Sequence, residues 1–335
     1  MTHHRRSLLT CSALLIVVAF FAGCGGATDD DLGTLKEQPM PADDARDIIA
    51  SNAFFYYADL EAACRFYGET LGFETVADYG FARIFRIAET SYLTLVDAGA
   101  GSQSADQPKT VALALVTDEL AGWWSYLNAQ EVTMKSTSYS PKEGNPHDGF
   151  VAVDPEGYYL EFERFNHHPE NEKLMPLLEG LEPRFPAPDA TTSRPADLGI
   201  KATVLWLYTP DVRAMSGFYE DVMGFPVTVD QGWALIHAAS SSGFIGPVDG
   251  AKGMHSWTED KAVMVSFFTT DLESWYTHLQ AHPSFTLREE GIVEEHRAGA
   301  MVFVGADPDN YLVEFDQFFE TEDNRVLLRC LSNSG

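Results

Sequence analysis

The amino-acid sequence predicts an α+β fold made of two tandem modules, each running strand, helix, two strands, then strand, helix, strand. Three observations carry this prediction. Asp154-Pro-Glu-Gly-Tyr-Tyr-Leu-Glu-Phe162 returns 153 residues later as Asp307-Pro-Asp-Asn-Tyr-Leu-Val-Glu-Phe315. Arg65-Phe-Tyr-Gly-Glu-Thr-Leu-Gly-Phe73 returns 152 residues later as Gly217-Phe-Tyr-Glu-Asp-Val-Met-Gly-Phe225. Around both pairs, short apolar runs rich in aromatic and β-branched residues alternate with stripes of helical period. Two separated signatures displaced by nearly one interval mean a duplicated, domain-sized unit rather than a solenoid of short repeats.

Each module opens on an apolar strand, Ala53 to Ala58 or Ala202 to Thr209. Asp59 and Asp211 follow as N-caps, because a short side-chain carboxylate can accept the first free helical N–H groups. Leu60, Ala63, Phe66 and Leu71 make the helical stripe of the first module, and Val212, Met215, Phe218 and Val222 that of the second. Gly72 and Gly224 stand where such a helix should end. Two strand-like runs come next, Phe81 to Ile87 with Tyr92 to Val96, and Trp233 to Ala238 with Gly243 to Val248. A further strand, Val111 to Val116 or Ala262 to Phe268, leads into a helix carrying Trp123-Trp124 or Trp275-Tyr276. The last strand follows the Asp-Pro turn, where Gly157 and Asn310 tolerate left-handed backbone.

The boundaries follow. Residues 1–23 form an export signal, with Arg5 and Arg6 ahead of an apolar run from Leu8 to Phe21 too short to span a bilayer. Phe21-Ala-Gly-Cys24 is similar to the lipobox of bacterial lipoproteins, which implies a lipid on Cys24 and, with Gly25 following, placement at the outer membrane. Residues 24–45 read as a flexible tether, 46–165 as the first module, 166–199 as a proline-rich linker, 200–320 as the second module and 321–335 as a C-terminal tail. Within the linker, Leu174-Met-Pro-Leu-Leu178 is apolar enough to pack on a module surface.

The formal net charge is -28, from 22 basic and 50 acidic residues. A surface that acidic repels nucleic acid and anionic lipid, so neither is an expected partner. With Cys11 in the signal and Cys24 in the lipobox, Cys64 and Cys330 remain, and they read as structural thiols rather than a disulfide.

The strand, the helix carrying Phe-Tyr and ending in Leu-Gly-Phe or Met-Gly-Phe, and the closing Asp-Pro-x-Gly-Tyr-x-x-Glu-Phe strand resemble the vicinal oxygen chelate superfamily. That superfamily includes glyoxalase I, extradiol dioxygenases and bleomycin-resistance proteins, and the resemblance covers roughly residues 50–165 and 200–318. It implies tandem modules of paired β-α-β-β-β units that form curved, cup-like mixed sheets. It also implies a divalent metal held by a His or Gln on a first strand and a Glu on a last strand.

Carried over position by position, the last-strand ligands are Glu161 and Glu314, but the first-strand positions hold Asn52 and Val204. Val204 has no lone pair, and an amide carbonyl suits hard cations better than zinc or nickel. Residues 109–117 and 261–270 contain no histidine, which argues against an iron triad. His237, on a central strand, is the one histidine placed to complete an irregular shell. Residues in phase with the vacated positions are aromatic, Phe54 and Tyr56 in one module and Trp206 and Tyr208 in the other, with Trp233 and Tyr92 as further lining. An aromatic cup with a few polar groups suits flat or cationic organic ligands.

Three functions follow. A tethered cup that binds a small organic molecule without a cofactor accounts best for the missing ligands. A metal-dependent lyase or isomerase similar to glyoxalase I would use Glu161 and Glu314, with Asn52 or His237 completing the shell. A structural lipoprotein with a filled cup is the third.

Overall fold

The computed structural model describes residues 47–188 and 190–332. The export signal, the lipidation residue Cys24 and the tether lie outside these residues. No helix among the described residues is long and apolar enough to cross a membrane.

The first module runs β1 (Ile48–Tyr57), α1 (Leu60–Arg65), β2 (Glu74–Asp78), β3 (Ala82–Arg86), β4 (Tyr92–Asp97), β5 (Val111–Val116), α2 (Leu120–Ala129), β6 (His147–Val153) and β7 (Tyr159–Phe165). After the linker helix α3 (Met175–Glu179), the second repeats this plan. It runs β8 (Ala202–Thr209), α4 (Val212–Gly217), β9 (Val227–Asp230), β10 (Leu235–Ala238), β11 (Gly243–Asp249), β12 (Val263–Thr269) and α5 (Leu272–Gln280). Short strands β13 (Thr286–Leu287) and β14 (Val293–Glu295) precede β15 (Ala300–Ala306), β16 (Leu312–Phe318) and helix α6 (Arg325–Ser332). The architecture is α+β with two mixed sheets. It has more strands than the sequence pattern predicts, in part because β2, β6 and β9 carry short or mixed apolar patterns. β2, for instance, reads Glu-Thr-Val-Ala-Asp and buries only Val76 and Ala77.

Each sheet is assembled from both modules. One runs β13-β15-β16-β12-β1-β4-β3-β2 with β14 beside β15, and the other β6-β7-β5-β8-β11-β10-β9. The seams are antiparallel pairs across the duplication, β1 with β12, where Asn52 faces Ser266, and β5 with β8, where Ala114 faces Val204. Strand alternation sends Ala53, Phe55, Leu113 and Leu205 to the helix side, into a core shared by both sheets, and their neighbours to the opposite face. We call the concave faces cup A, between β1–β4 and β12–β16, and cup B, between β5–β7 and β8–β11.

The two repeated signatures are structural latches. Asp154 accepts backbone N–H bonds from Glu156 and Tyr158 while its other oxygen takes the Tyr57 hydroxyl at 2.6 Å and that of Tyr67 at 3.1 Å. Tyr158 in turn accepts from the Tyr56 N–H and donates to the Ala262 carbonyl, tying the turn to the other module. Asp307, Tyr219 and Tyr311 repeat this arrangement, with the Tyr311 hydroxyl donating to the Thr110 carbonyl. Gly157 and Asn310 take φ of +100° and +64° in these turns, the left-handed region that favours their residue types. Asp59 and Asp211 cap α1 and α4 as the sequence predicts. Both helices then widen into π-helical turns over Phe66–Thr70 and Phe218–Val222.

The linker and the tail prove to be copies of one device. Leu174 and Leu178, at the start and within α3, pack into cup B against Ala114, Val116, Ala202, Val204 and Phe165. Leu327 and Leu331 of α6, 153 residues on, pack into cup A with Cys330 against Ala50, Ile84, Tyr92 and Phe268. Three residues ahead of each leading leucine stands a fully buried asparagine. The Asn171 amide donates to the carbonyls of Pro146 and Asn166, and the Asn324 amide to those of Gly299, Phe319 and Ala298. Each cup is thus stoppered at one end by the helix that follows its last strand. Cys64 and Cys330 both remain buried thiols.

Candidate functional site

A row of residues crosses the floor of each cup at equivalent positions. In cup A Asn52 on β1, Ser266 on β12 and Glu314 on β16 stand opposite one another, flanked on the same face by Thr94 on β4, which pairs with Phe54, and by Asp316 two residues beyond Glu314. In cup B the equivalent residues are Val204, Ala114 and Glu161, flanked by Gly246, which pairs with Trp206, and by Glu163. Period-2 alternation is what puts both acids of each pair into the cup, since Leu160, Phe162, Val313 and Phe315 turn to the helix side.

The two floors differ in how those acids are satisfied. In cup A the Thr94 hydroxyl donates to Asn52 Oδ1 at 3.1 Å, Asn52 Nδ2 donates to Ser266 Oγ at 3.3 Å, and Ser266 donates to Asp316 Oδ2 at 2.7 Å. Glu314 and Asp316 lie close enough on the same face for each to influence the other's charge. In cup B the positions of Thr94, Asn52 and Ser266 are Gly246, Val204 and Ala114, so no such chain exists. Glu163, 3% exposed, has no protein partner at Oε2, and neither do Trp206 Nε1 and His147 Nδ1, which line the same cavity.

Burial dominates the electrostatics. It pushes Glu163 well above the usual carboxylate range, helped by the Glu161 charge, and raises Glu161 as well. The Trp206 indole N–H, turned toward Glu161, offsets part of that rise without completing a hydrogen bond of normal geometry. In cup A burial and then the Asp316 charge push Glu314 well up, and burial raises Asp316 against the opposing Ser266 bond. Two carboxyls on one dry face cannot both ionise cheaply, so each pair retains protons near neutral pH.

Cup B encloses about 200 Å³, lined by Phe165, Trp206, Tyr208, Trp233 and Met254 around the two glutamates. Cup A encloses about 120 Å³, lined by Phe54, Tyr56, Tyr79 and Phe81 around Glu314 and Asp316. Gly246 is required by the Trp206 indole, since a Cβ there would lie 2.1 Å from Trp206 Cε3. A larger hollow of about 680 Å³ lies outside both cups, between α1, β2 and the linker. Most of its arginines serve internal partners. Arg83 pairs with Asp78 at 2.6 Å, Arg184 with Glu74 at 2.6 Å, and buried Arg194 donates to the Leu198 and Leu71 carbonyls. We therefore assign it to structure.

Several sequence expectations are corrected here. Glu161 and Glu314 do not share a site, because they close different sheets. His237 enters neither cup. Its Nδ1–H donates to the Phe225 carbonyl at 3.0 Å, Nε2 accepts from Ser216 at 3.1 Å, and the ring sits beside Tyr219 on the helix side. It is fully buried, and burial lowers its pKa. Tyr92 turns to the concave face of cup A but lies under α6 against Phe268 rather than at the cavity. Phe54 and Tyr56 line cup A, and Trp206, Tyr208 and Trp233 line cup B, with Trp233 at the rim and 36% exposed. Asn52 does stand on the cup A floor, but both ends of its amide are spent on Thr94 and Ser266.

These donors do not fit the metal shell that the resemblance implies. Cup A offers oxygen atoms already bonded to one another, cup B offers two glutamates among Val204, Ala114 and Gly246, and no three His, Cys, Asp or Glu side chains converge among the described residues. Sequence reasoning missed Glu163 and Asp316, though their spacing of two from Glu161 and Glu314 was there to be read. Ser266 and Thr94 gave no local signal, because their role depends on strand pairing.

The sequence profile of the Glyoxalase/Bleomycin resistance protein/Dioxygenase superfamily matches residues 50–162 and 199–315. No curated protein matches the chain. Among solved structures, a protein from Bacillus subtilis subsp. subtilis str. 168, provisionally described as a dioxygenase, shares 15% identity over 81% of this chain and 85% of its own, with a TM-score of 0.55. Glyoxalase I from Zea mays shares 14% identity over 87% of this chain and 96% of its own, with a TM-score of 0.54. Likeness at such identity concerns the fold.

Proposed function

Because the chain belongs to the Glyoxalase/Bleomycin resistance protein/Dioxygenase superfamily while the first-strand positions hold Asn52 and Val204 and no three His, Cys, Asp or Glu side chains converge among the described residues, we propose that it binds a small organic molecule without a metal. In this reading the protein is exported and held at the outer membrane by a lipid on Cys24, and it takes its ligand from the surrounding medium. The observation that carries the reading is the floor of cup B. There the position expected to supply a first-strand ligand is Val204, the neighbouring seam residue is Ala114, and the walls are aromatic. Such a surface contributes apolar contact and orientation rather than Lewis-acid chemistry.

Metal analysis of the full-length protein, purified in detergent without chelator, tests this directly. We expect far less than one equivalent of zinc, nickel, iron or manganese, and a melting temperature that neither EDTA nor added metal moves. A metal bound only to the folded state at 100 times its Kd would add roughly 2.7 kcal/mol, an easily seen shift. A stoichiometric metal would sink the proposal and favour a lyase or isomerase of the glyoxalase I type.

A further inference from the structure

The two cups share a fold, a position for a carboxyl pair and a helical stopper, yet they treat that pair differently. In cup A Asp316 has a protein partner, at the end of the chain Thr94, Asn52 and Ser266, whereas Glu163 at the equivalent place in cup B has none at Oε2. In cup B the same three positions have lost their polar atoms, while the acids have been kept. A buried carboxyl without a partner costs on the order of several kcal/mol. Removing the supporting residues but not the acids therefore leaves an interaction that something other than the chain must complete.

The surroundings identify its chemistry. Phe165, Trp206, Tyr208 and Trp233 line the cavity, and aromatic rings attract cations as well as apolar surface. Gln231 at the same cavity supplies a neutral polar contact and is held by Glu170. The volume, about 200 Å³, lies below the roughly 300–1,000 Å³ of drug-sized sites, which restricts the ligand to about one ring and a short arm. We propose that cup B is a recognition site for a small arylalkyl amine, its ammonium group held by Glu161 and Glu163 and its ring by Trp206 and Trp233, while cup A is the structural counterpart that takes no cation. This deepens the ligand-binding reading and rests on it.

Proton linkage follows. The acid pair holds protons when the cup has no cation and must release them when an ammonium group enters, so affinity rises with pH while the amine stays charged. An alkylamine, like the lysine side chain, stays charged through pH 8. The other titratable groups packed round the pair are His147 on β6, Tyr208 on β8, and Lys135, Lys252 and His255 on flanking loops. Burial holds His147 below its ordinary pKa and lowers His255 to about 4, so neither ring adds charge over this range.

The test compares 2-phenylethylamine with 2-phenylethanol, its neutral isostere, by calorimetry on the full-length protein in detergent with EDTA present. The amine should bind at least about tenfold more tightly, the worth of a charge-assisted hydrogen bond. Its affinity should climb between pH 6 and 8, and buffers of different ionisation heat should register proton release. Glu163→Gln should abolish the preference while leaving the alcohol bound, and Trp206→Ala should weaken both compounds. Equal affinity for the two compounds, no binding of the amine, or a preference unchanged in Glu163→Gln would overturn the amine assignment and leave metal-free binding standing. Binding that appears only when metal replaces EDTA would overturn the ligand-binding reading itself.

Discussion

Glu163 and Asp316 occupy equivalent places on β7 and β16, and the contrast between them shows how much a single side chain depends on its neighbours. Asp316 accepts from Ser266, whereas Glu163 lies opposite Val116 and has no protein partner at Oε2. Both are 3% exposed, so solvent screens neither. Burial raises the pKa of Glu161 to about 7, and Glu163 lies well above its ordinary value. A carboxyl whose folded-state pKa is raised contributes stability that is fully present below its unfolded pKa and is lost as pH rises through the folded value. The protein should therefore melt at a higher temperature at pH 5 than at pH 8. Glu163→Gln, which keeps the shape and removes the charge, should raise stability at pH 8 by on the order of 1–3 kcal/mol and flatten the profile. A thermal unfolding series across this range checks it, and a variant less stable at pH 8 would contradict the account.

At the scale of elements, the stopper helices hold the most informative energetics. α6 is only eight residues long, too short to persist in water on its own. Its stability must come from Val326, Leu327, Cys330 and Leu331 seated in cup A and from the Asn324 amide, which ties its start to three backbone carbonyls. Asn324→Ala removes the amide from these carbonyls, of which Gly299 and Phe319 keep backbone donors, and takes the acceptor from the Tyr79 hydroxyl, so it should cost about 1–3 kcal/mol. Leu327→Ala should cost about 2–5 kcal/mol by opening a cavity under the helix. Chemical denaturation of each variant measures both losses. Hydrogen exchange should show α6 and the β2 edge opening together, since the helix packs against Val76 and Ala77.

For the molecule as a whole, the pairing of β1 with β12 and of β5 with β8 means that neither module owns a sheet. A chain ending after α3 would carry two unpaired seam strands, β1 and β5, each with exposed apolar residues and open hydrogen-bonding groups. Expressed alone, residues 46–188 should not form a stable monomer. Size-exclusion chromatography should find aggregate or a dimer in which a second copy supplies the missing strands, and co-expression with residues 190–335 should restore a one-to-one complex. A monodisperse, cooperatively folding monomer would show that the seams matter less than the topology implies.

The duplication, the α+β class, the helix caps and the Asp-Pro turns were readable in the sequence because each rests on local rules, on period, capping chemistry and left-handed turn residues. The aromatic lining was readable for the same reason, since alternation along β1 and β8 sends Phe54, Tyr56, Trp206 and Tyr208 to one face. Three things were not. The two glutamates were expected to share a site and instead occupy separate cups, because strands of one module pair across the duplication and interval alone says nothing about partners. The linker and tail hid a third repeated signature, Asn171 with Leu174 and Asn324 with Leu327, because two or three apolar residues acquire meaning only against the concave sheet that buries them. The difference between the cups, a hydroxyl and amide chain in one and alanine, valine and glycine in the other, arises from residues on four strands distant in sequence. Only the pairing of four strands brings Thr94, Asn52, Ser266 and Asp316 into one hydrogen-bonded chain, and only that chain shows which buried acid has a protein partner and which has none.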